Sequence, residues 1–212
     1  MFPAFRIFQG ISLAISLFSA IVDLACATPG ISDRVVLAEI NLVRTEPLIY
    51  AGFLKDFRSH FEGKCYRLSD MTTVIETNEG VVAVDEAINF LLSQKPLPSL
   101  AWSAGLAAAA QELTQEQSKS GATGHNGEKS GGIVARLKRQ HIEGNMIGEN
   151  IAYGPDSARS MVLQLLIDDG VPNRSHRKNQ FNPVFHRGGV FCGAHPRYKT
   201  MCVIDFSSGL RE

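Results

Sequence analysis

Apolar residues recur at helical spacing through the first half of the chain and gather into short continuous runs near its end. Val36, Ile40 and Val43 share one face of a helix that starts near Ser32 or Asp33 and is interrupted at Pro47. Tyr50, Leu54, Phe57 and Phe61 then repeat at i, i+4, i+7 and i+11. That spacing predicts a second helix with Pro47 in its first turn, where the absent N–H leaves no bond unmade. Core packing is the expected use of this apolar face, with a lipid groove as the other use open to it. Gly63 to Gly80 reads as polar and irregular. Val82 to Ser93 is helical by composition and stops before Pro96 and Pro98. Ser103 can cap a helix that runs through Leu106, alanines 107–110 and Leu113 to end near Gly121.

The middle third gathers turns and polar side chains. Gly121 to Gly127 is turn-rich, Ile133 to Arg139 predicts a short helix, and Glu149 to Gly154 a brief strand. Asp156 or Ser157 can cap a helix that buries Met161, Leu165 and Leu166 and is closed by Asp168-Asp169-Gly170. Val171 to Asn182 reads as a polar loop, and Gly188 to Ala194 and Met201 to Ser207 as two strands. Helices early and strands late define the α+β class. No repeat or linker divides residues 28–212, so a single domain is expected there.

Residues 1–27 have a pattern of their own. Arg6 precedes an apolar stretch from Ile11 to Val22, and Ala25-Cys26-Ala27 is a small-x-small cleavage site. This is the layout of a secretory signal peptide. Its apolar core is about 12 residues long where a membrane span needs about 20, so no transmembrane anchor is expected. The mature chain should be secreted or extracytoplasmic. With 21 basic residues against 21 acidic ones the formal net charge is zero, and 44% of residues are hydrophobic. That balance excludes a disordered chain and provides no basic field for nucleic acid.

Export makes disulfides durable. Cys192 and Cys202 flank the turn between the last two strands, and a bridge across that hairpin is the economical pairing, leaving Cys65 as the odd thiol. His125, Glu149, Asp168 and His176 lie on separate elements, each at an end or in a loop. Two imidazoles and two carboxylates in one cleft would make a metal site or an acid–base site. No HExxH helix or CxxC pair forces them together. His60, His141 and His195 read as solvated surface groups, and the run Arg136-Leu137-Lys138-Arg139 as a solvated helix face. Asn173-Arg174-Ser175 is a glycosylation sequon.

The order of four segments carries a resemblance. Leu100-Ala101-Trp102-Ser103-Ala104-Gly105-Leu106 is followed by Gly124-His125 and then by Gly148-Glu149-Asn150-Ile151-Ala152-Tyr153-Gly154. Leu166-Ile167-Asp168-Asp169-Gly170-Val171-Pro172 then leads into His176-Arg177. Together these segments resemble the CAP superfamily of cysteine-rich secretory, antigen 5 and pathogenesis-related proteins, from about Asn41 to Phe206. The resemblance implies an α-β-α sandwich with a small antiparallel sheet between helical layers. It also implies a central cleft holding His125, His176, Glu149 and a second acid, for which Asp168 is the better candidate and Asp169 the next. Two positions depart from the family pattern: Asp168 stands where glutamate is frequent, and Ser175 where glycine is common.

The same resemblance implies a divalent cation, often zinc, held by His125 and His176. The acids would then orient the rings or hold water. Two protein ligands make a weaker site than the three usual in zinc enzymes, so binding without turnover is the expectation. A lipid or sterol, an extracellular protein or a cell surface would be the partner. The alternative is a metal-assisted or His/acid-dependent extracellular hydrolase.

Overall fold

The computed structural model describes residues 31–68, 73–144 and 146–211. The expected signal peptide at 1–27 lies outside these residues. Helix α1 (Asp33–Thr45) turns its apolar face inward through Val36, Leu37, Ile40 and Val43, all buried. Helix α2 (Pro47–Arg58) follows with Pro47 in its first turn and buries Tyr50, Ala51 and Leu54, while Leu48 and Ile49 stay exposed. The helix face expected to run through Phe61 stops at Arg58, and from Phe61 on through the segment expected to be irregular lie three two-residue strands. These are β1 (Phe61–Glu62), β2 (Cys65–Tyr66) and β3 (Ile75–Glu76), which form an antiparallel sheet of their own. Clustered rings of Phe57, Phe61 and Tyr66 give that small sheet its apolar support. Helix α3 (Val81–Ser93) then packs against α2.

After β4 (Ala101–Trp102), Ser103 Oγ accepts from Leu106 N–H at 3.2 Å and starts helix α4 (Ala104–Ser120), which ends on Gly121 in the left-handed region. Helix α5 (Ile133–Arg139) keeps its expected bounds. Beyond β5 (Glu143–Gly144) runs β6 (Ile147–Tyr153), and Ser157 caps α6 (Ala158–Ile167). The expected polar loop 171–182 contains a further helix, α7 (Ser175–Gln180). The chain closes with β7 (Arg187–His195), β8 (Lys199–Ser207) and β9 (Leu210–Arg211).

The main sheet has the order β4-β7-β8-β6, antiparallel except for the β4–β7 pair, so β6 is an edge strand. Alternation along β8 divides the core. Cys202, Ile204 and Phe206 face the cluster built from α1, α2, α3 and α6. Met201 and Val203 face Ala110 and Leu113 of α4 on the other side. The result is an α-β-α sandwich of the α+β class. Helix α4 lies so close to β7 that a Cβ on Gly189 would stand 2.2 Å from the backbone nitrogen of Ala107. Cys192 and Cys202 are directly opposed in the β7–β8 register and are bridged, and Cys65 is a free, half-buried thiol. Among the described residues no helix is long and apolar enough to cross a membrane.

Candidate functional site

The site is organised by two consecutive residues of the edge strand β6. Because side chains alternate along a strand, Glu149 and Asn150 point to opposite faces of the sheet. Glu149 serves the α4–α5 side. Its Oε1 lies 2.8 Å from His125 Nδ1, and its Oε2 receives the guanidinium of the fully buried Arg136. Asn150 serves the α7 side. Its Nδ2 donates to the His176 carbonyl at 2.9 Å, and its Oδ1 accepts from Asn179 Nδ2 at 2.9 Å. Asn179 Nδ2 also reaches the Glu149 carbonyl at 3.3 Å, so α7 is clasped to β6 at the point where Glu149 leaves it.

His176 is held by Asp168, the left-handed cap of α6. Asp168 Oδ1 lies 2.6 Å from His176 Nδ1, and Oδ2 accepts the His176 backbone N–H at 2.9 Å and that of Arg177 at 3.3 Å. The short side chain therefore reaches its histidine by binding the first turn of the helix that carries it. This is also why α7 exists without an apolar repeat. Its remaining support comes from Arg177, which donates from within the core to the Leu166 and Ile167 carbonyls. Arg174 pairs with Glu79 and Glu86 of the α3 side and bonds the Asp168 carbonyl at 2.8 Å. Asp169, the second choice for the acid, accepts from the Asn78 and Glu79 backbone N–H groups and faces α3.

His125 is reached from a pinned loop. Gly124 N–H donates to Tyr153 Oη at 3.0 Å, Tyr153 O–H donates to Gln117 Oε1 at 2.7 Å, and Gln117 Nε2 donates back to the Gly124 carbonyl at 2.7 Å. Burial pushes the Tyr153 phenol above its ordinary range, which keeps it a donor. His195 overturns the surface reading: it is only 2% exposed, with Nε2 donating to the Ala122 carbonyl at 3.0 Å and Nδ1 accepting from Tyr198 N–H at 3.2 Å. The reading of the Arg136 run as a solvated face fails in the same way at its first residue. Arg136 is buried because its donors satisfy the His125 and Gly131 carbonyls as well as Glu149. His141 is exposed as expected, and His60 is partly buried.

The geometry thus brings His125 to Glu149 and His176 to Asp168, and joins the two pairs through β6. An ionised carboxylate only accepts, so each Nδ1 carries the hydrogen and each neutral ring has its lone pair at Nε2. Two such nitrogens suit a borderline divalent cation. Among the described residues no three His, Cys, Asp or Glu side chains gather as a metal cluster. The His125 side chain is 53% exposed and that of His176 22%, while both carboxylates are buried.

An α+β sandwich with paired imidazole–carboxylate groups beside a sheet edge defines the class. The family model described as CAP, the cysteine-rich secretory protein family, matches residues 37–206, and the chain belongs to that family. Among solved structures, an extracellular SCP-domain protein from Bacillus anthracis is 22% identical with a TM-score of 0.45, over 60% of this chain and 37% of that one. An outer surface protein from Borrelia burgdorferi is 17% identical with a TM-score of 0.43, over 52% of this chain and 78% of that one. A cysteine-rich secretory protein from Staphylococcus aureus is 15% identical with a TM-score of 0.42, over 74% and 48%. This chain therefore spans well under half the length of the Bacillus protein. Comparison with curated protein sequences finds no match.

Proposed function

We propose that the protein is an extracellular binding module whose cleft beside β6 takes one divalent cation, zinc being the natural probe, through Nε2 of His125 and of His176. The observation that carries this reading is that a buried carboxylate occupies Nδ1 of both rings, which leaves both Nε2 lone pairs for a ligand. Glu149 and Asp168 orient the rings and add negative charge nearby. With two protein donors the remaining positions fall to water or to a ligand of the module, and affinity is modest beside a three-ligand enzyme site. Turnover is not part of the proposal.

The test is zinc calorimetry on chelator-stripped protein. Binding at about one equivalent is expected, weakening on acidification as the imidazoles protonate. His125→Ala and His176→Ala should each remove most of the affinity, Glu149→Gln should lower it about tenfold, and His60→Ala should leave it unchanged. Unaltered binding in a folded His125→Ala/His176→Ala double variant would refute the assignment. An organic extract of the same unstripped preparation tests the lipid or sterol partner separately.

A further inference from the structure

Asp205 has no part in the site as described, and its surroundings are unusual for a carboxyl group. It lies on β8 between buried strand neighbours, is itself fully buried, and is paired in register with Glu149 on β6 and Gly189 on β7. Neither of its oxygens meets a hydrogen-bond donor. Each packed element explains why. From β6 comes another carboxylate, Glu149. From β7 comes Gly189, which has no side chain, and over it α4 closes with Leu106 and Ala107. From α5 comes Arg136, but its Nη atoms are engaged by Glu149 and by the Gly131 and His125 carbonyls, and its Nε meets no acceptor.

A bare carboxylate in that position would be desolvated, unpartnered and opposed by a second carboxylate over a single guanidinium. Burial first, and then the neighbouring Glu149 charge, push the Asp205 carboxyl well above the usual carboxylate range, with Arg136 opposing. We propose that Asp205 is a proton-holding positioning residue, protonated at neutral pH, whose O–H donates to Glu149. Arg136, Glu149 and Asp205 then sum to zero net charge. Glu149 has lone pairs enough to accept from Asp205, from Arg136 and from His125 at once. The proton on Asp205 thereby fixes the carboxylate that in turn orients His125. The protonation itself is independent of the cation reading, and only its consequence for zinc rests on that reading.

Infrared spectroscopy of the metal-free protein tests it directly. At pH 7 the wild type should show a protonated-carboxyl C=O band that shifts in D2O and is missing from Asp205→Asn. Absence of that band from the wild type overturns the proposal whether or not zinc binds. Should Asp205→Asn fail to fold, the carboxyl carbon resonance of Asp205 in wild-type protein decides instead. It should hold its protonated position up to pH 7, and titration in the ordinary aspartate range overturns the proposal. In folded variants, Asp205→Asn keeps a donor toward Glu149 and should hold zinc affinity within about twofold. Asp205→Leu removes the donor and should lower the affinity about tenfold, the scale of losing an orienting partner.

Discussion

Arg177→Met isolates the support beneath His176. The Arg177 side chain is 4% exposed and donates through Nε to the Leu166 carbonyl at 2.5 Å and through Nη2 to the Ile167 carbonyl at 3.1 Å. Both carbonyls belong to the last turn of α6, where no intrahelical partner exists. Methionine keeps the apolar stem near Phe90 but leaves two buried acceptors without donors, at about 1–3 kcal/mol each. The Nη1 contact to the half-exposed Glu86 adds under about 1 kcal/mol. A loss of about 2–7 kcal/mol is therefore expected, a large part of the roughly 5–15 kcal/mol typical of a domain. Urea denaturation at pH 7 should show it as a lower midpoint with unchanged slope. Glu86→Gln, which spares both carbonyl bonds, should cost under about 1 kcal/mol. The accounting fails if Arg177→Met costs less than about 1 kcal/mol, or if Glu86→Gln costs as much as it does.

Two further outcomes follow from the scaffold. The Arg174 guanidinium and the Gly170 N–H hold the Glu79 carboxyl down to about 2. A depressed folded value stabilises above the unfolded one, so this contribution is present above about pH 4.5 and fades as pH falls toward 2. Glu79→Gln should narrow its midpoint gap to wild type across that window, and a gap independent of pH would contradict the linkage. Replacing Cys192 and Cys202 together by alanine releases a bridge between residues 10 apart in sequence. On the chain-entropy account this should cost about 2–3 kcal/mol in chemical denaturation, and an unchanged midpoint would count against that account.

Most helices were legible because their ends and faces are chemically marked. Ser103 and Ser157 cap, Pro47 opens and Gly121 closes, each where the pattern of apolar residues begins or stops. Helix α7 was not legible, since Ser175–Gln180 has no apolar stripe and stands on Asp168, Asn150 and the α6 carbonyls that Arg177 reaches, partners supplied by other elements. The four site residues could be chosen by type and position, but their pairing could not. The His125–Glu149 pair depends on which face of β6 Glu149 serves, and the His176–Asp168 pair on α7 starting beside the cap of α6. Arg136 was passed over because its charge was read as solvent exposure, and Asp205 drew no reading of its own within the strand from Met201 to Ser207. A signal existed for both. Arg136 falls at i+3 from Ile133 and beside Leu137, on the inward face of its short helix, and Asp205 is the one charged residue in the apolar run from Met201 to Phe206.

The two imidazoles stand on unequal supports, and the difference has a thermodynamic direction. His176 has its ring, its backbone N–H and its carbonyl all bound, on a helix anchored by two buried arginines. His125 projects from a loop, more than half exposed, with Glu149 on its ring and Arg136 on its carbonyl. That loop continues to Lys129 and Ser130, whose N–H groups hold the Glu116 carboxyl at about 2. A cation shared by both rings, as proposed, would find His176 already ordered and would have to order His125 further, at a cost of up to about 1.5 kcal/mol for an immobilised side chain. Every bond that restrains the His125 ring before binding reduces that cost. At the proposed cation site the chain from α5 through Arg136 to Glu149, with Asp205 behind it, would therefore act on affinity through the freedom of the His125 side chain without itself touching the ligand.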